Sequence, residues 1–171
     1  QAQDAAALLE YLKIIGGETD NLSFGAEGVP LDVEAEQAYL GMQAQSPDHI
    51  QLLAKVNGKI IGTASLNRKP NRMSHRAEFG ISLKKAWWGC GAASALAQGV
   101  LAFAKESGVQ QVNLEVRSDN KRAIALYEKL GFRKLFTFPG FFMINGELVD
   151  FDFMNLTFSP AAPNETENKA L

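Results

Sequence analysis

The chain has 171 residues, 46% of them hydrophobic and 21% charged, which suits one globular domain able to bury an ordinary core. Its formal net charge of −2 gives no electrostatic footprint for nucleic acid, and without a long apolar run or a basic-then-apolar leader no membrane partner is expected. Cys90 is the sole cysteine, which excludes an internal disulfide and a multi-thiolate metal centre. His49 and His75 lack metal-ligand spacing, so no metal is expected. These features predict a cytoplasmic protein. Position 1 is Gln rather than Met, which leaves room for residues upstream.

In chain order, Asp4–Ile15 predicts a helix with Leu8, Leu9, Leu12 and Ile15 on one side, ended by Gly16-Gly17. Glu18–Pro30 is polar and glycine-punctuated, hence a loop. Val33–Gln45 predicts a second helix, with acidic residues near its start that suit the helix dipole and Pro47 closing it. Ile50–Val56 and Lys59–Leu66 are β-rich runs joined by Asn57-Gly58, a hairpin signal because both turn residues need φ > 0. A basic stretch, Asn67–Arg76, is either a solvated loop or a patch facing a phosphate-bearing ligand or acidic substrate.

Ala77–Leu83 predicts a third strand, Gly91–Ser107 a long Ala/Leu helix stopped by Gly108, and Gln111–Arg117 a fourth strand. Asn120–Leu130 predicts another helix ended by Gly131. Phe132–Ile144 and Glu147–Leu156 then flank a second hairpin signal, Asn145-Gly146. The polar, Pro-containing tail from Ser159 is expected to be disordered, which makes residues 1–158 the domain. This order predicts a mixed α/β fold. The sheet is mostly antiparallel with helices on both faces, and a right-handed helical crossover makes Ala77–Leu83 parallel to Gln111–Arg117.

Trp88-Gly89-Cys90-Gly91-Ala92-Ala93 opens the long helix. Its small residues place no bulk over the helix N-terminus, where unpaired amides and the positive dipole end suit a diphosphate. The alternatives are a plain strand-to-helix turn or a nicotinamide fingerprint, since Gly89-x-Gly91-x-x-Ser94 resembles G-x-G-x-x-G/A and Glu115 stands on the next strand. Lys84–Trp88 intervenes between strand and glycines, Ser94 occupies a position that favours Gly or Ala, and no second dinucleotide-binding half follows. These features oppose the nicotinamide reading.

Asp119 or Asn120 is placed to cap the next helix, with Asn120, Ala123, Ile124 and Tyr127 on one face. Tyr127 either packs with Leu126 and Leu130 or donates its proton to a leaving group. Glu115 sits on a strand expected to be interior, where a carboxylate is costly unless paired, hydrated or lining a cleft. Pairing with Arg117 is one explanation. The other joins it to Glu78 on the neighbouring parallel strand, two carboxylates raising one another's pKa toward that of a general base.

Together these segments resemble the GNAT superfamily of N-acetyltransferases over roughly Ala5–Leu156, most strongly in Glu78–Phe132. The family's Q/R-x-x-G-x-G/A loop corresponds to Trp88–Ala93, with Trp88 in place of Gln or Arg. That W-G-x-G variant removes one polar phosphate contact and keeps the amide cradle. Asn120, Ala123, Ile124, Leu126 and Tyr127 through Phe132 match N-x-x-A-I-x-L-Y-E-K-L-G-F. Leu114-Glu115-Val116-Arg117 is similar to a stretch of ribosomal-protein alanine N-acetyltransferases in which the glutamate is the base, and F-M-I-N-G-E-L-V-D-F-D-F-M resembles the last two family strands. The family's first strand would precede the first helix, and almost nothing precedes Asp4.

The resemblance implies an acetyltransferase that moves an acetyl group from acetyl-CoA, its co-substrate, to a primary amine by direct attack. The amine belongs to a small molecule, an amino acid or a peptide or protein N-terminus. Amides of Ile81, Ser82 and Leu83 would hold the pantetheine arm and polarise the thioester, Trp88–Ala93 the diphosphate, and Asn120 and Ala123 the region beside the thioester. Tyr127 would protonate the departing thiolate, and Glu115 or Glu78 would take the amine proton. A covalent route through Cys90 is disfavoured because that thiol belongs beside the diphosphate. A non-catalytic acyl-CoA-binding module on the same fold is the alternative from another class. Phe136, Phe138, Phe141 and Phe142 line an acceptor pocket, form a homodimer surface, or pack within the closing hairpin.

Overall fold

The computed structural model describes residues 1–158, so the predicted tail lies outside the described residues. In chain order the elements are α1 (Ala5–Glu18), α2 (Val33–Ala44), β1 (His49–Val56), β2 (Lys59–Arg68), β3 (Arg76–Leu83), α3 (Ala92–Glu106), β4 (Gln111–Arg117), α4 (Lys121–Lys129), β5 (Arg133–Ile144) and β6 (Glu147–Thr157). The six strands form one sheet in the order β1-β2-β3-β4-β6-β5. Only β3 and β4 run parallel; every other neighbouring pair is antiparallel.

Both hairpin dipeptides turn as expected, with φ of 48° and 76° at Asn57-Gly58 and 52° and 84° at Asn145-Gly146. No strand precedes α1 among the described residues.

Strand alternation sorts the side chains. Ala64, Leu66, Ala77, Phe79, Val112, Leu114 and Val116 point to the face covered by α3 and α4, where Leu96, Ala97, Val100 and Leu101 complete the main core. On the opposite face Ala5, Leu8, Tyr11, Ile15 and Leu40 from α1 and α2 pack on Ile60, with Leu53 at the margin. That second cluster sits at the β1–β2 end. Over β4 and β6 the same face carries Asn113, Glu115 and Arg117 beside Phe151 and Phe153.

The parallel pair is short. Arg76, Ala77 and Glu78 of β3 oppose Gln111, Val112 and Asn113 of β4, and there the pairing ends. Beyond that point β3 stays with β2 as far as Leu83, and β4 stays with β6 as far as Arg117. Each strand follows its antiparallel neighbour, so the two inner edges part and leave a gap in mid-sheet.

The first helix corrects the sequence reading, because α1 runs through Gly16-Gly17 to Glu18. Gly16 is buried, and a Cβ there would lie 1.9 Å from the Gly25 carbonyl oxygen. The glycine therefore serves close approach of the following loop, not helix termination. Two further ties hold the helix to the gap. Tyr11 and Ser82 of β3 share a hydroxyl hydrogen bond of 2.8 Å, and Glu18 accepts the Lys85 backbone N–H at 2.8 Å.

Gly16→Ala and Gly41→Ala should therefore differ in sign. A helical Gly→Ala change is ordinarily favourable by about 1 kcal/mol, and Gly41 in α2 has nothing within 4 Å of an added Cβ. At Gly16 the clash is with backbone, so overpacking of about 1–3 kcal/mol should win. Urea denaturation should show Gly41→Ala stabilised and Gly16→Ala destabilised.

Candidate active site

After β3 the chain passes Lys84 and a 3-10 turn at Lys85–Trp87 into Trp88-Gly89-Cys90-Gly91. Gly89 and Gly91 have φ of 82° and 89°, in the left-handed region, and Gly91 is the N-cap of α3. A Cβ on either would meet nothing within 4 Å. Glycine is required here by the backbone rather than by crowding, and the space above it is open. No side chain caps α3. Its first bond runs from Ala95 N–H to the Gly91 carbonyl, so the amides of Ala92, Ala93 and Ser94 have no partner among the described residues. Three free amides at the positive end of a helix dipole fit a diphosphate.

Trp88 does more than vacate a polar position. Its indole N–H donates to the Leu83 carbonyl at 2.8 Å. The Arg122 guanidinium of α4 lies 4.0 Å from its ring centroid, and the Lys85 ammonium lies at 6.0 Å. The loop lacks its own Arg and draws one in from α4 by cation–π contact. Cys90 is exposed and donates to the Trp87 carbonyl.

The basic stretch before β3 does not reach this loop. It joins β3 at Arg76, and the whole strand to Leu83, about 3.3 Å per residue, separates it from the glycines. Arg68 bonds the Ser74 and Ser107 carbonyls, Lys69 pairs with Glu78, and Arg76 donates to Asn113.

The two carboxylates flank the mouth of the gap. Glu78 occupies the last paired position of β3 and forms its ion pair with Lys69. Glu115 stands two residues further along β4, opposite Phe153. Its side chain is exposed, yet enough protein surrounds it that desolvation raises its pKa above the usual carboxylate value. The Glu78 charge pushes the same way and Lys69 opposes it. Arg117, the expected partner, is turned to Asp119 instead. Its Nη2 donates to Asp119 at 3.0 Å. Its Nε lies 2.8 Å from the other oxygen but is not aligned for a bond, and stays buried without an acceptor. Among the described residues Glu115 has no ion-pair partner.

Tyr127 lies across the sheet, in the core between Phe79 and Phe132, with ring centroids at 6.2 and 5.9 Å. Burial pushes its phenol pKa well upward. Its hydroxyl makes no hydrogen bond among the described residues. Of the two expected caps for α4, Asn120 serves, accepting Ala123 N–H at 3.2 Å. Ile81, Ser82 and Leu83 lie on β3 past the last paired residue. Ile81 packs toward the α3 side, Ser82 binds Tyr11, and the Leu83 carbonyl is taken by Trp88. Burial raises the Tyr11 pKa to about 12, with the Ser82 hydrogen bond acting the other way. Tyr11 and Arg122 went unread in the sequence. Tyr11 lies on the apolar stripe three residues from Leu8, and Arg122 looked like a solvent-facing helix residue.

A cavity of about 510 Å³ opens between the α1–α2 loop and the tip of the β5–β6 hairpin. Leu22 and Phe24 line one wall and Phe141, Phe142 and Met143 the other, with Asp20 and Glu27 at the loop side. It thus brings the loop after α1 together with the β5–β6 tip, without α2. The carboxylates and Tyr127 are not in its lining; one layer of rings intervenes. Phe141 meets Phe151 and Phe153 at 5.3 and 5.4 Å, and those two oppose Arg117 and Glu115. Phe141 and Phe142 therefore pack within the hairpin and line the cavity as well, whereas Phe136 and Phe138 pack on Phe153 and are not in the lining.

A sequence profile described as the acetyltransferase (GNAT) family matches residues 20–132. An L-amino acid N-acetyltransferase of Escherichia coli is 35% identical over 114 residues, which cover 65% of this chain and 70% of that protein. The crystal structure of a GNAT-family acetyltransferase from Streptococcus pneumoniae superposes with a TM-score of 0.89 at 30% identity, covering 92% of this chain and 96% of that one. A Salmonella typhimurium structure described with acetyl-CoA as its cofactor shares the fold, with a TM-score of 0.81, 23% identity and coverage of 96% and 95%.

Replacing Gly91 by Ala puts an L-residue at a φ of 89°, a strain of about 1–3 kcal/mol. Titration calorimetry should show coenzyme A binding weakened about tenfold or more. Cys90→Ser, which changes only an exposed side chain, should bind within about twofold of the parent.

Proposed function

The chain belongs to the acetyltransferase (GNAT) family, and from that premise we propose how its residues divide the work of acetyl transfer to a primary amine. It is an acetyl-CoA-dependent N-acetyltransferase. Acetyl-CoA supplies the acetyl group as an activated thioester. In our reading the free amides of Ala92, Ala93 and Ser94 hold the diphosphate, with Arg122 on Trp88 adding positive charge above the loop. The inner edge of β3 from Ile81 to Leu83 accepts the pantetheine arm in the gap. Asn120 and Ala123 stand at the start of α4 beside it.

One observation carries this reading. Glu115 and Tyr127 lie on opposite faces of the sheet, and the gap between β3 and β4 runs between them. A thioester held in that gap meets the amine from the Glu115 side and releases sulfur toward the Tyr127 side. Glu115, directly or through water, takes the ammonium proton and frees the nitrogen lone pair. The new N–C bond forms as the C–S bond breaks, and the Tyr127 hydroxyl protonates the sulfur. Burial keeps that phenol protonated at neutral pH. Glu78 is tied to Lys69 and tunes Glu115 rather than acting as the base.

The acceptor side is the open face over β4 and β6 together with the adjoining cavity. We assign it a primary amine on a carbon bearing an apolar group, as in an amino acid or a peptide N-terminus. The similarity to an L-amino acid acetyltransferase supports the former. A single exposed, unbridged thiol fits the reducing cytosol as the site of reaction.

Thiol release from acetyl-CoA against a panel of amines tests the activity, and two pH effects test the base. Activity should fall on the acid side as Glu115 protonates, along a limb lying above the ordinary glutamate range. Glu115→Gln should lower turnover about 10²-fold or more and erase that limb. Glu78→Gln removes a charge that raises the Glu115 pKa, so it should move the limb to lower pH while activity persists. Loss of the limb in Glu78→Gln instead would transfer the base to Glu78. Tyr127→Phe should depress kcat and leave coenzyme affinity unchanged; full turnover in that variant would remove Tyr127 from the acid role.

A further inference from the structure

We propose that Arg117 reads the carboxylate of the acceptor, and that the enzyme therefore acts on free apolar α-amino acids in preference to peptide N-termini. The inference rests on the acceptor side proposed above, and four observations carry it.

Glu115 and Arg117 are alternate residues of β4 and share the face opposite α3 and α4, about 6.6 Å apart along the strand. They present a carboxylate and a guanidinium side by side, both beyond the end of the β3–β4 pairing. An α-amino acid presents the complementary pair, ammonium and carboxylate on one carbon. With its ammonium at Glu115, its carboxylate falls toward Arg117.

The guanidinium is held but not satisfied. Asp119 takes one aligned hydrogen bond, from Nη2. The buried Nε lies 2.8 Å from the other Asp119 oxygen, poorly aligned for a bond, and Nη1 makes no bond among the described residues. With Asp119 on the Nε and Nη2 edge, Nη1 is the donor left for an incoming acceptor. A carboxylate is the acceptor a guanidinium fork fits best.

Two other cations of this face are committed. Arg76 donates to Asn113 and Lys69 pairs with Glu78. The cavity itself offers Asp20 and Glu27 and no basic side chain. Arg133 of β5, opposite Asn155, shares this face as well, but Arg117, though ion-paired with Asp119, is the cation on the strand that bears the base.

The side chain of such an acceptor has an apolar berth. Phe151 and Phe153 stand opposite Arg117 and Glu115 on β6, and their rings continue into Phe141 and Phe142 at the cavity wall. A peptide N-terminus lacks the carboxylate and carries an amide in its place, so it leaves the guanidinium unanswered.

The experiment compares kcat/KM for L-leucine and L-phenylalanine with their amides and their decarboxylated amines, read as thiol release by the full chain. The amide has a less basic nitrogen than the amino acid and the decarboxylated amine a more basic one, so together they bracket the effect of amine pKa. The parent should prefer the free amino acid to both by about 10- to 100-fold. Arg117→Gln should abolish the preference through KM for the amino acid, leaving the amide within about threefold. Arg117→Lys should regain part of the preference. Equal parent activity on acid and amide, or a uniform loss on all three acceptors in Arg117→Gln, would overturn the assignment. The first comparison needs no variant and stands even if Arg117→Gln fails to fold. A parent that acetylates leucyl peptides better than leucine would sink this inference while the proposed function survives. No thiol release with any amine would sink both.

Discussion

The site depends on a place where hydrogen bonding stops. A parallel pair normally extends as long as both strands do, yet β3 and β4 pair at only three positions. The cause lies on their outer flanks. β2 holds β3 to Leu83 and β6 holds β4 to Arg117, so each strand is fully anchored while the inner edges diverge. The divergence leaves backbone groups facing a gap in mid-sheet, where a ligand can complete the ladder without unfolding anything. It also lets side chains from both faces of the sheet address one point. Glu115 and Tyr127 lie on opposite faces of the sheet, on either side of this gap.

The helices then fix what borders the gap. α1 is tied to β3 by Tyr11–Ser82 and to the turn after it by Glu18 and the Lys85 amide. Its Gly16 lets the Gly25 carbonyl approach within a distance no Cβ would tolerate. The loop that walls the cavity and the turn that leads to the glycine loop before α3 are thus held by one helix. On the other flank Arg122 of α4 lies on Trp88. The glycine loop is bordered from two sides by elements distant in sequence.

Electrostatic allocation finishes the site. Lys69 is spent on Glu78, Arg76 on Asn113, and Asp119 on part of Arg117. What remains on the open face, among the described residues, is a carboxylate with no ion-pair partner and a guanidinium whose Nη1 makes no bond. Desolvation and the neighbouring Glu78 raise the Glu115 pKa, and Lys69 limits the rise. Had Arg117 paired with Glu115, the carboxylate would be held ionised and occupied, and neither group would be available to an acceptor.

Periodicity and turn chemistry by themselves determined the elements. Asn-Gly at two strand junctions, the Ala/Leu run after Gly91, and the stops at Gly108 and Gly131 depend on local dihedral preference, which a sequence carries directly. The glycine loop before α3 and the Asn120–Tyr127 helix were legible for the same reason: free amides and a capped helix are local objects. Gly16 was misread because a glycine needed for close approach looks like one needed for a turn, and only the Gly25 carbonyl across the fold tells them apart. The choice of Asp119 over Glu115 as partner of Arg117, the Arg122–Trp88 stack and the Tyr11–Ser82 bond were likewise decided by tertiary structure. Each is a pairing among several partners of similar chemistry, and which pair forms is set by where the strands part and the helices dock.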